Sequence, residues 1–413
     1  MNTPLYSKLL SYNPKARFHM PGHSGVDFGA FKANLLDITE VSDMDNLLCA
    51  DGVIKEAEDL IAKAYGYRHA LMVTAGSTIC MQIAAFLANK EHLKVVALGR
   101  MHNSFYNAMR VFDIHYEEYD SIQKLQYVID NSQDRLAIFI TSPTYFGNLN
   151  EVDKKDNLLI IDAAHGAHFA FSSVLPKYPK GDIVFSSMHK TTPALTGAAI
   201  MNVNDDRLYE ELVLYRSILH STSPSYLIMS SMDLARGYLE ENGEEAYKKI
   251  ANKIQSYNGK FSSFDIEHSD DISRLVLRKK GIDAYKTLDD LHKLGFEIEM
   301  AYEDKLVLIL TPFNIDKLDE LKDALDNLTF EYKEFEHINN EIINTKIDGN
   351  LTPDFVEIND AEGYICNAEI SIYPPSQPII SYGKKITRKD INILKAHLGH
   401  ILGLVNNKVP VLK

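Results

Sequence analysis

The chain has little of what staples or anchors a protein. Its 413 residues include only three cysteines, Cys49, Cys80 and Cys366, and no tryptophan. No Cys-x-x-Cys pair occurs, so neither a disulfide framework nor a zinc cluster is expected. No stretch reaches the roughly 18 uninterrupted apolar residues of a membrane span. Met1 to Lys8 has no long apolar core, so no signal peptide is expected and the cytoplasm is the default location. Internal repeats and low-complexity tracts are absent. Positive charge is in deficit: 57 acidic side chains oppose 43 basic ones, a net charge of −14. That balance argues against nucleic acid as a main partner. Through long-range attraction it mildly favours a cationic substrate.

What is present is enough apolar material for a large core. Hydrophobic residues make up 45% of the chain, and its length suggests about two domains. Residues 1–45 read as an N-terminal arm. From about residue 50 to 205, short apolar runs alternate with helical patterns, which predicts a mostly parallel sheet covered on both faces. The strand candidates are Leu71–Val73, Val95–Leu98, Ile138–Ile140, Leu159–Ile161, Ile183–Phe185 and Ala199–Met201. A long helix from about 225 to 265 bridges to a smaller α+β region. There, 273–277 and 306–310 read as strands, while 284–294 and 317–328 read as helices. Glu334 to Asp348 reads as a charged surface connection. The divisions expected are an arm at 1–45, a cofactor-binding domain at 46–235 and a C-terminal domain at 236–413.

The densest chemical signal is Ser187-Met188-His189-Lys190, directly after the apolar run Ile183-Val184-Phe185. It puts a lysine at a strand end, where its amine can condense with a carbonyl cofactor such as pyridoxal 5′-phosphate. Upstream, Asp162 ends another apolar run. A carboxylate at that place can pair with a protonated pyridine nitrogen. Ala164 is small enough to lie against a ring, and His165 can bond a ring hydroxyl or a substrate carboxylate. Asp162 also reads as an ordinary helix cap. Gly76-Ser77-Thr78 opens a helical pattern and offers hydroxyls and free N–H groups to a phosphate. Taken alone it reads first as a plain Ser/Thr cap. His102 follows the strand-like Val95–Leu98 and can stack on a ring, or serve as a loop histidine with no partner.

These fragments follow one another at strand ends, where open α/β sheets bind ligands. In that order the chain resembles the ornithine/lysine/arginine decarboxylases of fold type I, in their short form without the extra N-terminal domain. Phe18-His19-Met20-Pro21-Gly22-His23 is similar to that family's opening. So are Asp37-Ile38-Thr39-Glu40, Met44-Asp45-Asn46-Leu47 and Gly52-Val53-Ile54. Ser142-Pro143-Thr144-Tyr145-Phe146-Gly147, Thr222-Ser223-Pro224-Ser225-Tyr226, Ser231-Met232-Asp233, and Ala368-Glu369 with Tyr373-Pro374-Pro375 continue the match. Three positions depart: Ser24 replaces a lysine, Ser376 a glycine, and Lys384 an acid.

The resemblance implies an α/β, fold-type-I transferase-like architecture, pyridoxal phosphate as cofactor, and decarboxylation of lysine, arginine or ornithine to a polyamine precursor. It implies roles for Lys190, His189, Asp162 and His102 in the chemistry. Gly76, Ser77, Thr78, Ala164, His165 and Ser187 would join them in holding the cofactor. Thr222 and Ser223 would reach it from the second subunit of a homodimer. Tyr145 and Glu369 would face the substrate, with Glu369 either at its distal cation or only supporting the fold of the tail. Reprotonation of Cα falls to His189, Lys190 or Tyr145. A transaminase would instead need a fixed cation, for which Arg100, Arg216 and Arg274 are available. A non-catalytic relative that binds the cofactor is the remaining alternative.

Overall fold

The computed structural model describes residues 1–11, 32–333, 352–372, 377–396, 398 and 401–412. The Phe18–His23 motif, Ser24, Tyr373 to Ser376 and the connection at 334–348 lie outside the described residues.

Seven strands form the main sheet: β1 (His69–Val73), β2 (Lys94–Leu98), β3 (Tyr116–Tyr119), β4 (Leu136–Thr141), β5 (Leu158–Asp162), β6 (Ile183–Ser187) and β7 (Ala199–Val203). Their order is β1-β7-β6-β5-β4-β2-β3. β7 runs antiparallel to both β1 and β6, and the other pairings are parallel. The central strands β4 to β7 are buried on both faces almost throughout. This is why they read as continuous apolar runs. β3 escapes the sequence reading because it is Tyr-Glu-Glu-Tyr. It sits at the sheet edge, where a polar strand is tolerated.

Helices cover the sheet: α1 (Pro4–Ser11), α2 (Val53–Tyr65), α3 (Ser77–Lys90), α4 (Asn103–Val111), α5 (Ile122–Asn131), the single turn α6 (Met188–Thr191), α7 (Asp206–Leu219) and α8 (Tyr226–Ser256). Two sequence motifs prove to be tethers of these helices. The Asp45 carboxylate accepts N–H bonds from Gly52, Ile54 and Lys55, and so caps the start of α2. The Asp233 carboxylate accepts from Leu5 and from Arg236, tying α1 to α8.

Beyond α8 lies a five-stranded antiparallel sheet that includes Arg274–Arg278, Met300–Tyr302 and Lys305–Ile309. Its helices are Ala284–Lys293 and Leu318–Asp326, close to the ranges expected. Leu275, Leu277 and Leu306 share one buried cluster with Ile54, Met72 and Val184 of the first region. The C-terminal residues make two three-stranded sheets with a separate apolar core around Ile370, Ile380, Ile391 and Val409. Arg110 of α4 fastens this unit by bonding the Asn367 carbonyl and side chain. No helix among the described residues is long and apolar enough to cross a membrane.

Candidate active site

The C-terminal ends of β2, β4 and β5 open onto a cavity of about 450 Å³. Arg100, His102, Thr141, Tyr145, Asp162, Ala164, His165 and Lys190 line it. Each group lies at or just beyond the C-terminal end of a strand, which is why residues scattered over the sequence meet at one edge of the sheet.

Asp162 is the last residue of β5 and is 5% exposed. Its Oδ1 accepts the Ala164 N–H at 3.0 Å. Burial pushes its carboxyl pKa up, while that N–H bond and the nearby Lys190 charge pull the other way. A desolvated carboxylate of this kind suits a cationic ring nitrogen. Lys190, in the turn α6, has its Nζ 3.1 Å from His165 Nε2. Burial lowers the amine pKa, against the opposing effect of Asp162 and Glu299. His165 Nδ1 lies 3.1 Å from an Arg274 terminal nitrogen. Burial also pushes His102 down to about 4, with Lys190 contributing, so its ring is neutral. His102 Nδ1 accepts the Ser104 N–H and thereby caps α4.

Gly76 holds φ at +75° and precedes α3, which starts without a side-chain cap. A left-handed residue there is readily adopted only by glycine. Its N–H donates to the Gly197 carbonyl. Ser77 and Ser187 bring their hydroxyls to 2.7 Å of each other. Thr78 is exposed beside them. Hydroxyls next to an uncapped helix N-terminus form an anion cradle.

His189, Thr222, Ser223 and Glu369 are not among the residues that line the cavity. His189 directs Nδ1 at the Ala198 carbonyl, 3.0 Å away. Thr222 and Ser223 are exposed on this chain, between α7 and α8. Glu369 is buried in the C-terminal unit, accepting the Tyr382 N–H at 2.9 Å. Lys384 is engaged by Asp390 at 2.9 Å. Of the three arginines considered, Arg216 pairs with Glu58 at 2.5 Å, and both bond the Met72 backbone in the edge strand β1. Arg100 lines the cavity and Arg274 stands behind His165. Tyr145 donates to Glu299 at 3.1 Å, and its ring centroid is 4.4 Å from that of His165. Glu299 carries no motif in the sequence, and only its position reveals it. Among the described residues no cluster of groups suits a metal ion.

The residues at hand fit pyridoxal phosphate. The cavity holds an amine, a buried carboxylate and a neutral histidine, and a hydroxyl-lined helix N-terminus begins at the same sheet edge.

Comparison with known proteins agrees. The profile described as "Orn/Lys/Arg decarboxylase, major domain" matches residues 3–324. An uncharacterised Bacillus subtilis protein, YaaO, is 26% identical over 95% of this chain and 94% of its own. An arginine decarboxylase of the same organism is 25% identical over 96% of this chain and 94% of its own. Among solved structures, the Francisella novicida lysine decarboxylase LdcF aligns with a TM-score of 0.75 at 17% identity. That alignment covers 100% of this chain and 81% of the other.

Proposed function

We propose that this chain, which belongs to the Orn/Lys/Arg decarboxylase family, removes CO2 from a basic amino acid, with arginine the foremost substrate among arginine, lysine and ornithine. The protein is a pyridoxal 5′-phosphate-dependent amino-acid decarboxylase. Arginine is put first because three relatives bearing the name arginine decarboxylase match over 95–96% of the chain, and a fourth over 64%. Those named lysine decarboxylase match over 58–60% of it. The observation that carries the site is Lys190 with its amine in the same cavity as the buried Asp162.

When bound, the cofactor supplies a conjugated ring that accepts the electron pair released as the bond from Cα to the carboxylate breaks. Lys190 would supply the amine that anchors its aldehyde carbon. Asp162 would keep a proton on the ring nitrogen. His102 and Ala164 would wall the ring, and His165 would offer a hydrogen bond at its edge. Gly76, Ser77, Thr78 and Ser187 receive the phosphate, aided by the N–H groups that open α3. Lys190 and Tyr145 line the cavity, so the proton returned to Cα is assigned to one of them rather than to His189. Glu369 is proposed as the partner of the substrate's distal cation. Its Oε2 is buried without a hydrogen-bond partner among the described residues. Glu369→Gln is then expected to raise KM for a basic substrate far more than for a neutral one.

The same proposal includes a homodimer in which Thr222 and Ser223 of one copy reach the phosphate of the other. Their exposure on the single chain supports it. Full turnover by a monomer at nanomolar concentration, seen by light scattering, would end this part. A cytoplasmic location belongs to the proposal too, and three unpaired cysteines suit a reducing compartment.

The deciding assay incubates the purified protein and pyridoxal phosphate with a panel of amino acids and measures CO2 and amine. Release of CO2 from arginine is expected. The reading fails if none of the three basic amino acids releases CO2 while an amino acid and a keto acid exchange amino groups.

A further inference from the structure

Arg274 is the first residue of the strand Arg274–Arg278, in the second sheet. It is nevertheless 2% exposed and reaches His165 of the first region at 3.1 Å. Gly147 makes that approach possible. A Cβ there would lie 2.9 Å from the Arg274 Cβ, and its φ is +84°. Nε and one terminal nitrogen of Arg274 are buried without hydrogen-bond partners among the described residues. Among the described residues no carboxylate makes an ion pair with it. A guanidinium that forgoes a carboxylate and spends a hydrogen bond on an imidazole has an identifiable consequence.

A guanidinium has only N–H donors and does not deprotonate in proteins. The atom facing it, His165 Nδ1, must therefore offer a lone pair. A neutral imidazole carries one proton, so that proton sits on Nε2. Nε2 is 3.1 Å from Lys190 Nζ. An N–H cannot bond an ammonium, which has no lone pair. The hydrogen bond exists only when Lys190 is an uncharged amine.

We propose that Arg274 is a positioning residue: by donating to Nδ1 it fixes His165 as the Nε2–H tautomer, and that N–H holds the Lys190 amine neutral and oriented. The neutral amine is the form that attacks a carbonyl carbon. The second sheet thus sets the readiness of a lysine carried by the first. The surroundings agree in sign. Burial and Arg274 both lower the Lys190 pKa, while Asp162 and Glu299 raise it. For His165, burial acts first, followed by Lys190, Arg274, His102 and His168, all in the lowering direction. The groups facing the pair are Asp162 at the end of β5, His102 before α4, His168, Tyr145, Arg274 and Glu299.

The inference deepens the proposed role of Lys190 as the cofactor's anchor and rests on that reading. Its test is separate, because it uses the full-length chain stripped of cofactor. Long-range ¹H–¹⁵N correlation on histidine-labelled protein reads the tautomer, with His165 assigned by its loss in His165→Gln. The expected pattern is a proton on Nε2 and a bare Nδ1. The rate of methylation of Lys190 against pH, read by peptide mass spectrometry, gives the amine's midpoint. In Arg274→Met this midpoint is expected to rise by about one pH unit, since a cation and a donor are both lost. Arg274→Lys retains a donor and a charge, and should bring the midpoint back toward wild type. A purely structural role would change the melting temperature and leave the tautomer alone. The proposal is overturned by a proton on Nδ1 in the wild-type chain, or by an unmoved midpoint in a folded Arg274→Met. If that variant does not fold, the wild-type tautomer alone decides. Borohydride fixation of the cofactor to a lysine other than Lys190 would sink the anchor reading instead, whatever the tautomer.

Discussion

The hydroxyls of Ser77 and Ser187 lie 2.7 Å apart although 110 residues separate them in the chain. One opens α3 and the other ends β6, so the contact joins the proposed phosphate cradle to the strand that carries Lys190. Hydrogen bonds to a charged group contribute about 1.5–3 kcal/mol each. Ser77→Ala with Ser187→Ala is therefore expected to weaken pyridoxal phosphate binding by roughly a hundredfold or more. Titration of the stripped protein, followed by the cofactor's visible absorbance, measures it. An unchanged dissociation constant would move the phosphate elsewhere.

Asp162→Asn replaces a charged partner with a neutral amide of the same shape. The fold should survive, since the Ala164 N–H can still be accepted by the amide oxygen. Turnover is expected to fall at least about a hundredfold, because the ring nitrogen would lose the group that keeps it protonated. Absorbance should show the cofactor still bound. Single-turnover CO2 release at saturating cofactor provides the rate.

Arg216 and Glu58 form an ion pair that is almost wholly removed from water. Breaking such a pair strands a buried charge and costs about 3–5 kcal/mol. Arg216→Met should show that loss in urea denaturation. Replacing both partners, with Glu58→Leu added, should recover much of it. The Michaelis constant of the folded double variant is expected to stay near wild type, because the pair lies away from the cavity. A large rise in KM would restore Arg216 as a substrate-binding cation.

Glu118 gives a pH-dependent prediction. Burial pushes its carboxyl from 4.5 up to about 7, only partly offset by the Tyr106 hydroxyl and Arg100. The folded protein therefore holds a proton that the unfolded chain releases. Its stabilising contribution is complete below pH 4.5 and is lost as pH rises through about 7. Glu118→Gln keeps the Tyr106 bond without titrating. Relative to wild type, its melting temperature should gain roughly 1–3 °C between pH 5 and pH 8. Calorimetry at the two pH values checks the sign. A wild-type advantage that grew with pH would refute it.

The strand-and-turn grammar of the first region was legible because each part is local. Apolar runs with flanking Gly, Ser and Asp mark strand ends, and Asp162, Lys190, His102 and Ser77 are each read from a few neighbours. Asp45 and Asp233 were legible as motifs, but their work as helix tethers was not, because the N–H groups that they hold lie on other elements. The polar strand Tyr116–Tyr119 was missed because its identity comes from pairing with β2 at the sheet edge.

The sequence by itself determined the fold class and which residues stand at the strand ends, since periodicity and turn chemistry act over a few residues. The tertiary structure alone decided that β7 runs against its neighbours, that Arg216 serves the core, and that Arg274 reaches His165 across two sheets. Those outcomes depend on strand order and on burial. Loss of water shifts a side chain's protonation and pairing according to what surrounds it in space, and chain neighbours do not encode that surrounding.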